Sequence, residues 1–238
     1  MKRTVGFFKL IKLFFQLVYL MLRHHSKLDN NFENNYMHCQ MICKSILNSA
    51  GVHATIIGRE KILTDKPFLL VPNHRCFFDV VLLMAVMEQP MSFVAAKELW
   101  SYPVLRDYLS AICCIPLDRY AKNLIRIKNN ISEIQKSLSE RSLVMFPEGE
   151  CSYEREDMKP FKKGGFMGVT GMDVYIIPAY IKIDSFQRIG RKWMIPQGNV
   201  QIFLGNAFEP GEIADKRAKA GKLAAYAQRR VIELKRDA

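Results

Sequence analysis

A histidine and an aspartate stand five residues apart in Val71-Pro72-Asn73-His74-Arg75-Cys76-Phe77-Phe78-Asp79. An imidazole that donates from one ring nitrogen to a carboxylate keeps the other free to take a proton, so His74 and Asp79 read as a general base and its orienter. In an unbroken helix, residues five apart diverge, because a turn takes about 3.6 residues. His74 is therefore expected in a loop, with Asp79 folding back to it from the first turn of the next helix. The N-terminus of that helix is expected to keep the imidazole neutral, as a base must be. The pair alone carries little weight, because a spacing of this kind arises readily by chance.

The elements around it add weight. Phe68–Val71 is an apolar run between Pro67 and Pro72 and predicts a short buried strand; the apolar stretch after it predicts a buried helix over Phe77–Glu88. Further strands are expected at Ala54–Ile57, Ser92–Ala95, Ile112–Leu117, Leu143–Phe146, Val174–Ile183 and Val200–Leu204. Helices are expected at Val104–Ser110, Tyr120–Glu140, Gly165–Thr170 and Ile213–Arg236, and a hairpin-like piece at Arg188–Trp193. This alternation predicts an α/β fold with a mostly parallel or mixed central sheet flanked by helices. His74, Lys97, Arg119 and Glu148 each follow the carboxyl end of an apolar run. That edge of an open α/β sheet is where ligands bind.

Residues 1–50 differ in character from 51–238, which divides the chain into an N-terminal helical segment and an α/β domain. In MKRTVGFFKLIKLFFQLVYLMLR, Lys2, Lys9, Gln16 and Arg23 recur every seven residues amid aromatic and aliphatic side chains. Lys9 and Lys12 are costly in hydrocarbon and interrupt any signal-peptide core, so an amphipathic helix lying in the membrane plane is expected ahead of a tilted span or a purely internal core helix. A second helix follows over about Tyr36–Ala50. The net charge of +12 calls for an anionic partner. An anionic membrane surface fits the apolar N-terminus; nucleic acid does not, because no groove-binding motif is present. Six cysteines without C-x-x-C spacing point to reduced thiols, and no metal-ligand pattern is complete. A G-x-S-x-G elbow and a P-loop are both absent from the sequence, which removes the serine-hydrolase and P-loop classes.

Asn73-His74-x-x-x-x-Asp79, followed about seventy residues later by Phe146-Pro147-Glu148-Gly149, resembles the first and third motifs of the PlsC-type glycerolipid acyltransferases. Ile115-Pro116-Leu117-Asp118-Arg119 is similar to the second block and Val174–Ala179 to the fourth, and Lys159–Gly165 resembles the segment after the third. The resemblance implies transfer of a fatty acyl group from acyl-CoA or acyl-carrier protein, as co-substrate, to the hydroxyl of a lysophospholipid. The acceptor it implies first is 1-acylglycerol 3-phosphate, with no permanently bound cofactor, at the cytoplasmic face of the membrane. In that scheme His74 is the base and Asp79 its orienter. Glu148 and Gly149 position the acceptor, and Arg119 holds its phosphate. Backbone N–H groups near Gly149 or Asn73 are expected to face the oxyanion. Lys97, Lys162 and Lys163 are expected as further anion contacts, and Pro178 along the acyl chain. Cys76 is expected to be a spacer. The family commonly has Thr-Arg after Glu-Gly; here Glu150-Cys151 stands instead, with Arg155 as a possible replacement.

Overall fold

The computed structural model describes residues 2–118, 123–152, 158–189, 193–213 and 220–238. At its centre is β2 (Phe68–Pro72), all five residues of which are buried. A strand buried on both faces reads as a continuous apolar run, and here its alternation feeds two cores. Phe68 and Leu70 join one cluster, Leu69 and Val71 the other.

Around β2 the sheet is completed by β1 (Val52–Ile57), β3 (Met91–Ala96), β4 (Ile115–Leu117), β5 (Ser142–Val144), β6 (Tyr175–Ile189) and β7 (Trp193–Leu204). Their order is β1-β7-β6-β2-β5-β3-β4. Only β6 and β7 run antiparallel; the other pairs are parallel. The α/β class and mixed sheet expected from the sequence are therefore present. One face is covered by α1 (Lys2–His25), α2 (Phe32–Ala50), α3 (Phe78–Val86) and α4 (Pro103–Ala111). The other carries α5 (Leu124–Glu140), α6 (Lys163–Phe166) and α8 (Ala220–Asp237), with the single turn α7 (Pro210–Ile213) before the last.

Two boundaries moved for physical reasons. β6 and β7 extend beyond the expected limits, because the chain keeps pairing past Pro196 and Gly198 by shifting register between Ile183 and Ser185. Ile112–Cys114 is a turn rather than strand: Cys113 takes a left-handed φ of 54°, and the Cys114 N–H returns to Leu109 O at 2.8 Å. The expected hairpin connection at 190–192 lies outside the described residues.

α1 departs most from expectation. Its seven-residue stripe does not simply separate water from lipid, because one side of the helix packs on the protein. Leu13 and Met21 are buried, Gln16 Nε2 donates to Ser45 Oγ of α2 at 3.2 Å, and Tyr108 OH of α4 donates to Met21 O at 2.7 Å. The outer side exposes Phe8, Phe14, Phe15, Tyr19 and Leu22. Among the described residues, no helix is long and apolar enough to cross a membrane.

Candidate active site

The loop after β2 and the first turn of α3 form a tight unit. Asp79, fully buried, turns back so that its Oδ2 lies 2.8 Å from His74 Nδ1. The same oxygen accepts from the Arg75 N–H at 2.6 Å and the Cys76 N–H at 2.9 Å. A carboxylate in the first turn that answers N–H groups of the loop just ahead of the helix satisfies both partners at once. The imidazole stacks on Phe146, with ring centroids 4.1 Å apart, and its Nε2 lies 3.1 Å from Cys151 Sγ.

A second buried carboxylate braces the loop from the strand beside it. Glu148 follows β5 and is 1% exposed. Its Oε1 accepts from the His74 N–H at 2.7 Å; its Oε2 accepts from Ser152 Oγ at 2.7 Å and the Lys159 N–H at 2.8 Å. The Ser152 N–H closes the circuit on His74 O at 2.8 Å. Gly149 makes the turn with φ +74°, and a Cβ there would come within 2.9 Å of Lys162 Nζ.

His74 and Cys151 face a cavity of about 1230 Å³. Lys159, Lys162 and Lys163 stand on its rim, and Leu17 and Met21 of α1, Ile42 of α2, Met84 of α3 and Leu109 of α4 line its apolar arm.

Several expected site residues have other partners. Asn73 is buried and spends both ends of its amide on β6: Oδ1 accepts from the Ile181 N–H at 2.7 Å, and Nδ2 donates to Ile181 O at 3.2 Å. It extends the β2–β6 ladder. Glu148 does not line the cavity; its oxygens are used by the loop. Lys97 pairs with Asp118 at 2.7 Å and is likewise absent from the cavity wall. Pro178 is buried in β6 beside Gly205, whose N–H reaches Pro178 O at 2.8 Å, again away from the wall. Gly149 and Lys162 do line the cavity. The Gly149 N–H bonds Phe146 O at 3.1 Å, so it is not poised toward an oxyanion. Arg119 and Arg155 lie outside the described residues. Among the described residues no group of three or more metal-ligating side chains is assembled.

The protonation of His74 also differs from expectation. Burial works against a charged ring, but the Asp79 hydrogen bond and the Cys151 contact outweigh it and push the pKa up to about 10. The helix N-terminus favours a neutral ring, but the Cys151 sulfur works in the opposite direction. Cys151 had entered only as a departure from the family pattern. Ser152 has no place in the sequence reading, and Lys159 has one only within the Lys159–Gly165 segment, although a carboxylate buried after a strand signals nearby donors.

The family model for Acyltransferase matches residues 53–182 of the 238. The 1-acyl-sn-glycerol-3-phosphate acyltransferase of Saccharomyces cerevisiae is 28% identical over 138 residues, covering 57% of this chain and 45% of the yeast protein. Its counterpart from Streptococcus pneumoniae is 33% identical over 152 residues, covering 63% and 53%. For a Chlamydomonas reinhardtii protein of the same name the values are 26% over 203 residues, 84% and 58%. The matched regions thus span about half the length of these relatives. The crystal structure of the 1-acyl-sn-glycerophosphate (LPA) acyltransferase PlsC from Thermotoga maritima superposes with a TM-score of 0.76 at 17% identity, covering 98% of this chain and 97% of that one. That likeness is one of fold. With more than half of its length matched by the family model, the chain belongs to the Acyltransferase family.

Proposed function

We propose that the protein moves a fatty acyl group from a thioester donor, acyl-CoA or acyl-carrier protein, to the free hydroxyl of 1-acylglycerol 3-phosphate, giving phosphatidate. The observation that carries this reading is the His74–Asp79 pair at the head of a large, mainly apolar cavity with lysines on its rim. An acyl chain requires an apolar arm, and a phosphate requires cations near the reacting hydroxyl. The names of the relatives point to the same acceptor.

His74 handles the proton of the acceptor hydroxyl as its oxygen attacks the acyl carbonyl, and Asp79 fixes the ring and stabilises its charged form. Lys162 and Lys163 attract the acceptor phosphate. Glu148 and Asn73 act earlier in the chain of causes, by holding the loop that carries His74. The exposed aromatic face of α1 lies on the cytoplasmic surface of the membrane, so that acceptor and product move sideways between bilayer and cavity.

The test is transfer by the purified protein in mixed micelles, with one acyl-CoA, the matching acyl-carrier protein, and a panel of lysophospholipids. Phosphatidate is expected as the main product, and a folded His74→Ala variant is expected to lose its formation. Equal turnover of uncharged-headgroup acceptors would reassign the substrate. Undiminished turnover by His74→Ala would remove the assigned base.

A further inference from the structure

The cavity wall carries a carboxylate where the acceptor reading calls for cations. Glu150 stands there with Lys159, Lys162 and Lys163, and its Oε1 pairs with Lys159 Nζ at 3.1 Å. A fixed negative charge at that place opposes the arrival of a phosphate. We propose that Glu150 is a displaceable counter-ion of the acceptor site. It holds Lys159 between turnovers, yields it to the phosphate monoester of the acceptor, and retakes it as phosphatidate leaves. This rests on the acyl-transfer reading above and adds two residues to it, one that binds the phosphate and one that competes with it.

Position argues for Lys159. Its Nζ also lies 3.5 Å from Cys151 O, and Cys151 Sγ is 3.1 Å from His74 Nε2. The ammonium is thus one residue away from the base. In 1-acylglycerol 3-phosphate the reacting hydroxyl and the phosphate are carried on adjacent carbons, so a cation that binds this phosphate must stand close to the base. Lys162 packs on the same turn, with Nζ 2.9 Å from the place a Cβ on Gly149 would take.

The two partners of the ion pair are held unequally. The main chain of Lys159 is fixed on both sides: its N–H donates to Glu148 Oε2 at 2.8 Å, and its carbonyl accepts from Gln228 Nε2 of α8 at 3.4 Å. The Lys159 side chain is 24% exposed, whereas that of Glu150 is 59% exposed. The cation therefore stays in place, and the carboxylate swings into water at little cost, since so open a pair contributes little. A phosphate monoester brings nearly two charges and three acceptor oxygens, against one charge and two oxygens for the carboxylate. The exchange favours the phosphate.

The product supplies a use for such a device. Acyl transfer alters the hydroxyl and leaves the phosphate untouched, so every cation that draws the acceptor in also holds phosphatidate back. Affinity gained equally throughout the reaction lowers KM without raising kcat. An internal anion that returns to Lys159 limits the retention.

The experiment measures KM for 1-acylglycerol 3-phosphate, KM for palmitoyl-CoA and the inhibition constant of phosphatidate in mixed micelles. It compares the full wild-type chain with Glu150→Gln, Lys159→Gln and the double variant, each shown to be folded by thermal melts. Glu150→Gln should lower the acceptor KM and the phosphatidate inhibition constant by the same factor, about threefold, without raising kcat. Lys159→Gln should raise both by about tenfold. In the Lys159→Gln background Glu150→Gln should have no further effect, because the carboxylate acts through that ammonium. Glu140→Gln, which removes the same charge ahead of β5 rather than after it, should change neither constant. A Glu150→Gln effect that persists undiminished without Lys159 would reduce Glu150 to general repulsion and overturn the exchange. An unchanged or raised acceptor KM in Glu150→Gln would overturn it as well. So would a shift confined to palmitoyl-CoA, which would assign the anion to the phosphates of the donor. Each of these outcomes leaves acyl transfer standing. Wild-type protein that forms no phosphatidate would remove the acceptor reading, and the exchange with it.

Discussion

The two ends of the cavity are built by opposite means. At the polar end, position is set by directional bonds to buried carboxylates: Asp79 holds the His74 ring and two N–H groups, and Glu148 ties together three separate segments. At the apolar end, Leu17, Met21, Ile42, Met84 and Leu109 supply volume and contact without preferred directions. The first construction fixes an angle and the second fixes a size. Damage at the polar end should therefore appear as a collapse of rate, and damage at the apolar end as a graded change in which chains fit.

The strongest way to break this contrast is Asp79→Asn. An amide cannot stabilise an imidazolium, and its NH₂ group would confront N–H donors. A loss on the order of 10³-fold in kcat is expected, measured as initial rates on variant that melts cooperatively. A loss below about tenfold would mean that the carboxylate only holds the loop.

Next in size is a pH effect from the same pair. His74 binds its proton more tightly folded than unfolded, with its pKa moved from 6.5 up to about 10. Its contribution to stability is fully present below pH 6.5 and is lost as the pH climbs through about 10. Melting temperatures of wild type and His74→Gln, measured from pH 6 to 10, should differ most at the acid end and converge at the alkaline end. A difference independent of pH would place the effect in packing against Phe146 rather than in charge.

Glu148→Gln tests the brace. Whichever way the amide is turned, its NH₂ faces either the His74 N–H or the side of Ser152 Oγ and the Lys159 N–H. Losing one charge-assisted bond is expected to cost about 2–3 kcal/mol in denaturant unfolding. Activity should fall with it, because the displaced segment carries His74.

Much of this was legible before any coordinates. Alternating apolar runs gave every strand at least in part, and the five-residue spacing required His74 to sit in a loop and Asp79 in a helical turn. What was not legible depended on side chains finding distant partners. Asn73 reads as a motif polar group, but its amide mimics a missing strand residue against Ile181. Cys151 reads as a lost arginine until the turn at Gly149 sets its sulfur against Nε2. The α1 pattern showed two kinds of surface, but periodicity cannot tell a face packed on protein from one left open, since both are apolar.

A smaller and graded effect is expected in the apolar arm. Leu109→Trp adds bulk at the cavity wall without touching the polar end. If it excludes about three methylenes of acyl chain, the loss is roughly 2 kcal/mol, or about 30-fold in kcat/KM, for the longest donors. Donors shorter by that length should be unaffected. A uniform loss across a series of acyl-CoA lengths would show that the wall and the chemistry are coupled and that the two ends of the cavity do not act separately.

The smallest effect concerns the outside of the same helix whose inner side helps form the cavity. Phe14 and Phe15 are 59% and 66% exposed, so replacing them with serine removes little from the folded core. If they enter the acyl boundary of a bilayer, Phe14→Ser with Phe15→Ser should reduce binding to anionic vesicles by about tenfold while leaving the melting temperature nearly unchanged. Transfer from vesicle-borne acceptor should fall in parallel, whereas transfer from detergent micelles with saturating acceptor should not. Leu13→Ser, on the buried side, should reverse the pattern: stability drops by about 2–4 kcal/mol, and the exposed aromatic face remains. If the outer pair instead destabilises the fold and leaves vesicle binding untouched, α1 is a packing element on both sides, and the membrane contact has to be sought elsewhere on this basic surface.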